Sequence, residues 1–272
     1  MKKFWDVYLS ALQVETPDPA FNSTVNIHNP HQCHTTRQWS RYLSYYQLGM
    51  GARGIGMRDS SQDILGVMVN DPQGSRDFLK QLLSFQKKNG SALHQFNPLT
   101  LEGNEGDSLE REDRPHYYSD DHLWSVLCVT AYIKETGDVA FLDEKVHFYE
   151  KDPVEGVSVL DHIRRGLTFT RGDIGKHGLP LLGFADWNDT VNLPTGAESF
   201  FTANLYGVAL REFIALLKFI GQPTDEYEAA YREMQARVEE HGWDGEWYIR
   251  YFDENGAPLG SSKNQYGQIY LN

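Results

Sequence analysis

Three stretches of this chain gather residue types that do chemistry. The first is 178–190, where a tryptophan stands between two acids in the run Asp186-Trp187-Asn188-Asp189, just after an apolar segment. A carboxyl group that protonates a leaving oxygen needs its pKa lifted by an apolar wall. Trp187 is placed to supply that wall for one of the two acids, and a flat face for a sugar ring. A simple Asx turn accounts for Asn188 and one aspartate, but not for the tryptophan. The second stretch is 49–63, where glycines surround Arg53 and lead into Arg58-Asp59 and Asp63. Glycine lets backbone pass close to a ligand, and an arginine beside an aspartate can donate to and accept from neighbouring hydroxyls. The plainer reading is a glycine-rich turn with a surface ion pair. No G-K-[ST] follows the glycines and no apolar strand precedes them, so neither a P-loop nor a dinucleotide fingerprint is present. The third stretch runs His116-Tyr117-Tyr118-Ser119-Asp120-Asp121-His122. Its carboxylates either start a helix, with Ser119 or Asp120 as cap, or face an active-site mouth. The spacing of His116 and His122 does not put them on one helical face, and no third ligand is visible, so no metal is expected.

These stretches need elements to position them. Apolar residues at three- and four-residue steps predict helices through Phe78–Phe85, Leu123–Ile133 and Val159–Leu167. Leu205 to Ile220 is apolar nearly all round, as in a helix packed between others, and stops at Gly221 with Pro223 beyond. Thr224 to His241 reads as a more polar helix, and MKKFWDVYLSALQV as an amphipathic one. Strand alternation is confined to short runs such as Trp247–Phe252, expected to form a hairpin over Asp253-Glu254-Asn255-Gly256. The unusual residues fall in long loops at 50–63, 93–121, 177–200 and 253–265. Helical hairpins with chemistry on loops at one end imply an all-α fold, an α/α-toroid. Six hairpins need roughly 350–400 residues, from twelve helices of average length plus loops. The chain is therefore expected to be a partial toroid over residues 1–272.

Composition narrows the function classes. Hydrophobic residues at 40% can build a core, and 25 Lys and Arg against 38 Asp and Glu leave a charge of −13, with no basic run. Nucleic acid and anionic membrane surfaces are disfavoured as partners. No uninterrupted apolar run of about 18 residues marks a membrane span, and MKKFWDVYLSALQV, with Asp6 and its polar breaks, is not expected to be a signal peptide. Cys33 and Cys128 fit no C-x-x-C pattern and are expected to be reduced thiols in a cytoplasmic protein.

Six runs, in order, carry a resemblance: N-I-H-N-P-H-Q-C (26–33), W-S-R-Y-L-S-Y-Y (39–46), G-A-R-G-I-G-M-R-D-S-S-Q-D (51–63), Y-Y-S-D-D-H-L-W (117–124), K-E-T-G-D (134–138) and H-G-L-P-L-L-G-F-A-D-W-N-D (177–189). Together they resemble the catalytic domain of the cellobiose phosphorylase family, glycoside hydrolase family 94. The resemblance implies an (α/α)₆ barrel and inverting phosphorolysis of a β-glucosidic disaccharide to α-glucose 1-phosphate. It implies Asp189 as general acid, Trp187 in the donor-sugar subsite, Arg58 and Asp59 holding the donor glucose, and Arg53 at the phosphate. Asp63, Tyr118, Asp120 and Asp121 lie in matching motifs and are carried as substrate-binding candidates. No cofactor is implied, since inorganic phosphate is a co-substrate, and the full-length protein is expected to be a homodimer. Set beside the family, the chain is expected to lack the N-terminal β-sandwich domain and the C-terminal barrel helices, which carry a phosphate-binding histidine and a Thr-Gly segment.

The residues agree with that expectation on chemical grounds. Phosphate arrives as an anion and needs a cationic cradle rather than a base, whereas an inverting hydrolase needs a second carboxylate roughly 6.5–9.5 Å from the acid. A hydrolase on the same toroid, with Asp120, Asp121 or Asp186 as base, is one alternative; a non-catalytic sugar-binding fragment is another. The polar loop 93–112 is expected to shape the acceptor side.

Overall fold

A computed structural model describes residues 2–42, 54–151, 153, 155–191 and 193–269. Among these, helices run α1 (Lys2–Leu9), α2 (Pro19–Ser23), α3 (Asn29–Thr35), α4 (Met57–Val67), α5 (Pro72–Leu83), α6 (Asp121–Thr136), α7 (Val159–Gly172), α8 (Phe200–Phe219) and α9 (Asp225–Gly242). Two-residue strands punctuate the loops: β1 (Ile55–Gly56), β2 (Gln95–Phe96), β3 (Gly103–Asn104), β4 (Lys145–Val146), β5 (Val157–Ser158), β6 (Glu198–Ser199), β7 (Tyr251–Phe252) and β8 (Pro258–Leu259).

From α4 onward consecutive helices pack as pairs, α4 with α5, α6 with α7 and α8 with α9. The first members form one row, α4 against α6 against α8, while α5 and α7 pack together behind it. This is the layering of an α/α-toroid, with α6 at the centre touching α4, α5, α7 and α8. Leu123, Val126, Val129, Leu210, Phe213 and Leu217 are fully buried between the rows. Each such side chain contributes about 1.5–3 kcal/mol by leaving water. By length and composition α8 could cross a membrane, but its sides pack against α6 and α9, which explains its apolar circumference.

Helix ends follow local chemistry. Asp71 accepts from Gly74 N–H ahead of α5, Ser158 from Asp161 N–H ahead of α7, and Ser199 from Thr202 N–H ahead of α8. Gly137 ends α6 in the left-handed conformation at φ 68°. The expected hairpin forms, shorter than its alternation suggested, as β7 paired with β8.

The loop expected at 50–63 is corrected in its second half, because residues 57–63 are the first turns of α4. The run Arg58-Asp59-Ser60-Ser61-Gln62-Asp63 shows no apolar period, yet Arg58, Ser60 and Ser61 are buried there. A helix that turns a polar face inward escapes any reading based on hydrophobic spacing.

Candidate active site

The N-terminal ends of α4, α6 and α8 lie at one end of the hairpin row, and short β-bridges stitch their loops together. β1 pairs with β2, joining the approach to α4 to the loop after α5. Residues 117–119 pair with 183–185, through Phe184 N–H to Tyr117 O at 2.8 Å and Ser119 N–H to Ala185 O at 3.0 Å. This pairing sets the Asp186–Asp189 run beside the Tyr118–Asp121 run. It requires Gly183, whose φ is +65° and where a Cβ would come within 2.6 Å of Tyr117 O. β6 then pairs with β7 to close the loop before α8.

Arg58 occupies the centre of this shelf and is 5% exposed. Its Nε donates to Asp120 Oδ2 at 2.7 Å and its Nη2 to Asp120 Oδ1 at 3.0 Å, a forked pair. Nη2 also donates to Asp186 O at 2.8 Å, and Nη1 to Trp187 O at 3.2 Å and to Asp189 Oδ1 at 2.9 Å. The guanidinium carries five N–H donors, and each has an acceptor. Burial disfavours its charge, but Asp120, then Asp121 and Asp189, outweigh that and hold its pKa well above the ordinary arginine value. The simple reading of a surface ion pair on Arg58 is therefore corrected: the pair is buried. Arg58 also has no N–H to spare for a sugar hydroxyl while the Asp186–Asp189 loop sits as it does.

The acids divide sharply by burial. Asp120, Asp121 and Asp186 are 0% exposed, whereas the Asp189 side chain keeps 56% of its surface. Asp120 stands at the N-cap of α6 without capping it; its oxygens go to Arg58 and to Trp124 Nε1–H at 2.9 Å. Burial pushes its carboxyl up, with Arg58 opposing and Asp121 adding to the rise. Asp186 is held by Arg250 at 2.8 Å, the Ser199 hydroxyl at 2.6 Å and Asn188 N–H at 2.9 Å. Asn188 in turn closes an Asx turn on Thr190. The loop is thus clamped on one side by Arg250 and on the other by Arg58, and Asp189 is presented between them.

Trp187 is 40% exposed and offers an open indole beside Asp189. It is not the expected burying wall, because Asp189 faces solvent and rests on Arg58. Tyr118 is buried, with its ring stacked on His94 at 3.6 Å and the Arg58 guanidinium 5.8 Å from its centroid. Burial, then the charges of Asp189, Asp107 and Asp121, raise its phenol pKa. Asp121 Oδ2 meets His94 Nδ1 at 2.9 Å, and its other oxygen is buried with no hydrogen-bond partner among the described residues.

The remaining candidates spread out. Asp59 sits in the first turn of α4 with its carboxylate folded back over Gly56. Asp63 lies further along α4 and lines a cavity of about 180 Å³ with Arg37, Ile55 and Phe78. Arg53 falls outside the described residues. His94 was missed by the sequence reading. The only signal was its place in a loop already singled out as polar, and nothing in the chain says that 94 meets 118 and 121. His122 is buried on Thr170.

Helical hairpins of an α/α-toroid thus bring a guanidinium, clustered carboxylates and an open indole together at one end of their row. The catalytic domain of the Glycosyl hydrolase 94 superfamily matches residues 4–272, and the chain belongs to that family. It is 33% identical to an N,N'-diacetylchitobiose phosphorylase from Vibrio proteolyticus, over 100% of this chain and 36% of that protein. A protein of the same description from Vibrio furnissii is 31% identical over the same shares. A solabiose phosphorylase from Paenibacillus borealis is 34% identical, over 88% of this chain and 30% of that protein. The chain thus spans about a third of the length of the curated relatives it matches.

Proposed function

We propose that this chain forms part of an inverting glycoside phosphorylase, which splits a β-linked disaccharide of the cellobiose type with inorganic phosphate into α-glucose 1-phosphate and the acceptor sugar. With the sugar on Trp187 covering it, Asp189 protonates the glycosidic oxygen, and the leaving sugar departs with that proton. A phosphate oxygen attacks the anomeric carbon from the opposite face, through an oxocarbenium-like transition state, so the configuration inverts. The donor pyranose stacks on Trp187, and Arg53 receives phosphate. Asp59, Asp63 and Tyr118 remain candidates for the sugar's hydroxyls. Asp120 serves the sugar indirectly, by fixing Arg58.

One observation supports phosphorolysis over hydrolysis. The three carboxylates weighed above as a hydrolase's base, Asp120, Asp121 and Asp186, are all 0% exposed, and two of them are occupied by arginines. Phosphate needs no such base. The names of the relatives agree with the reaction class, and their different disaccharides leave the acceptor to experiment. Free thiols at Cys33 and Cys128 support a cytoplasmic setting, and we propose a homodimer for the full-length protein.

The test is to incubate the protein, in its longest natural form, with cellobiose, N,N'-diacetylchitobiose and solabiose, with and without phosphate. Sugar 1-phosphate released only with phosphate, and abolished in Asp189→Asn while disaccharide binding persists, is the expected result. Equal cleavage in both tubes, or undiminished turnover in Asp189→Asn, refutes the proposal.

A further inference from the structure

His94 is fixed from several directions by groups of the candidate site. Its backbone carbonyl accepts Met57 N–H at 2.8 Å, at the first residue of α4 and next to Arg58. Its Nδ1 meets Asp121 Oδ2 at 2.9 Å, at the first residue of α6. One residue therefore ties together the two helix starts that carry the Arg58–Asp120 pair. Its ring lies flat on Tyr118, with centroids 3.6 Å apart and planes 13° from parallel. Gly106 closes on the edge, where a Cβ would come within 2.5 Å of His94 Cδ2.

A ring held this way has little rotational freedom left, yet only one of its nitrogens is used. Among the described residues Nε2 has no hydrogen-bond partner, and it is not among the sealed, unpartnered atoms. The side chain keeps 15% of its surface. Burial works against the imidazolium, but Asp121 outweighs it and Asp189 adds to the effect, against the repulsion of Arg58, so the pKa lies above the ordinary histidine value. A carboxylate-oriented imidazole with an open Nε2, in the same charge cluster as Asp189, becomes a donor through Nε2 in its protonated form and does more than pack.

We propose that His94 is a substrate-contact residue of this site, its Nε2–H donated to a hydroxyl oxygen of the bound disaccharide. The inference rests on the glycoside reading above and adds a specificity contact to it. Asp121 then acts through His94 as its orienting partner.

The two amide replacements separate the nitrogens. Asn at position 94 places an N–H near Nδ1 and keeps the tie to Asp121 while removing the Nε2 donor; Gln places a donor near Nε2 and gives up the tie. Calorimetry with cellobiose and with N,N'-diacetylchitobiose is expected to show His94→Asn weakened at least about tenfold, the order of one charged hydrogen bond. Its melting temperature should stay close to that of the unsubstituted protein, and His94→Gln should recover part of the affinity. Affinity should also fall as pH rises through the His94 titration, and stay flat in His94→Asn. Unchanged disaccharide affinity in His94→Asn overturns the inference alone, as does a loss confined to phosphate. A parent protein that binds neither disaccharide overturns the glycoside reading and this contact with it. If His94→Asn does not fold, a ¹⁵N titration of the parent decides, because an Nε2 resonance unmoved by saturating disaccharide overturns the contact.

Discussion

Replacing Arg58 with alanine removes five donated hydrogen bonds at once. The largest consequence falls on Asp120, a carboxylate with no exposed surface that keeps, among the described residues, only the Trp124 indole N–H. Breaking a buried ion pair by deleting one partner costs about 3–5 kcal/mol, because the remaining charge stays in a low-dielectric interior. The carbonyls of Asp186 and Trp187 lose donors as well, but these losses share one network and do not simply add. At roughly 2–4 °C per kcal/mol for a chain of this size class, the melting temperature is expected to fall by about 6–20 °C. The double variant Arg58→Met with Asp120→Asn removes both charges and keeps an acceptor for Trp124, so it should recover more than half of the loss. Thermal or urea unfolding of Arg58→Met, of Asp120→Asn and of the double closes the cycle. If Arg58→Ala costs less than about 1 kcal/mol, or if the two single losses add in the double, the buried clamp is not formed as described. Acrylamide quenching of Trp187, read against Trp187→Phe, supplies a second measure. Loss of Arg58 frees the loop that presents Asp189, so quenching should rise in Arg58→Lys even if that variant melts normally.

Other outcomes follow from the same geometry. His162 is buried between Gln86 Oε1 and Val146 O, and burial pushes its pKa from the ordinary 6.5 to about 4. The unfolded chain takes up this proton first, so stability is present above pH 6.5 and is lost as pH falls toward 4, by on the order of 3 kcal/mol. Urea unfolding at several pH values should show this slope, and a His162→Gln variant should reduce it, leaving the share of buried His122, whose pKa burial pushes down to about 3; an unchanged slope refutes it. Gly183→Ala forces a side chain into a positive-φ site against Tyr117 O and should cost about 1–3 kcal/mol. It should also weaken disaccharide binding, since the 117–119 and 183–185 bridge sets the two acidic runs side by side. A variant with parental stability and binding would show that the bridge is dispensable.

Much of the fold was legible because helices announce themselves through burial. The spacing of Leu123, Val126 and Val129, or the apolar circumference of Leu205–Ile220, reports which faces leave water, and the structure puts α6 and α8 there. The candidate site was legible in part. Chemistry-bearing residues cluster in short runs, so Asp189, Trp187, Arg58 and Asp120 could be singled out, and the structure brings those four together. Their division of labour was not legible. Arg58 and Asp120 look as available for ligand as Asp189 does, because a sequence states which groups are charged but not which of them have already found one another.

The chain's own residues determined the helical class, the acidic character and the short list of groups with chemical potential, since propensity, periodicity and charge are local properties. Only the folded molecule decided that α4 turns a polar face inward and that Arg58 spends all its donors on protein acceptors. It likewise decided that Asp189 alone of the site's four close carboxylates meets solvent, and that His94 joins the group. Those outcomes come from contacts between residues sixty or more positions apart in chain, or, for His94, from a loop closing on a distant helix start. No local pattern encodes such distances.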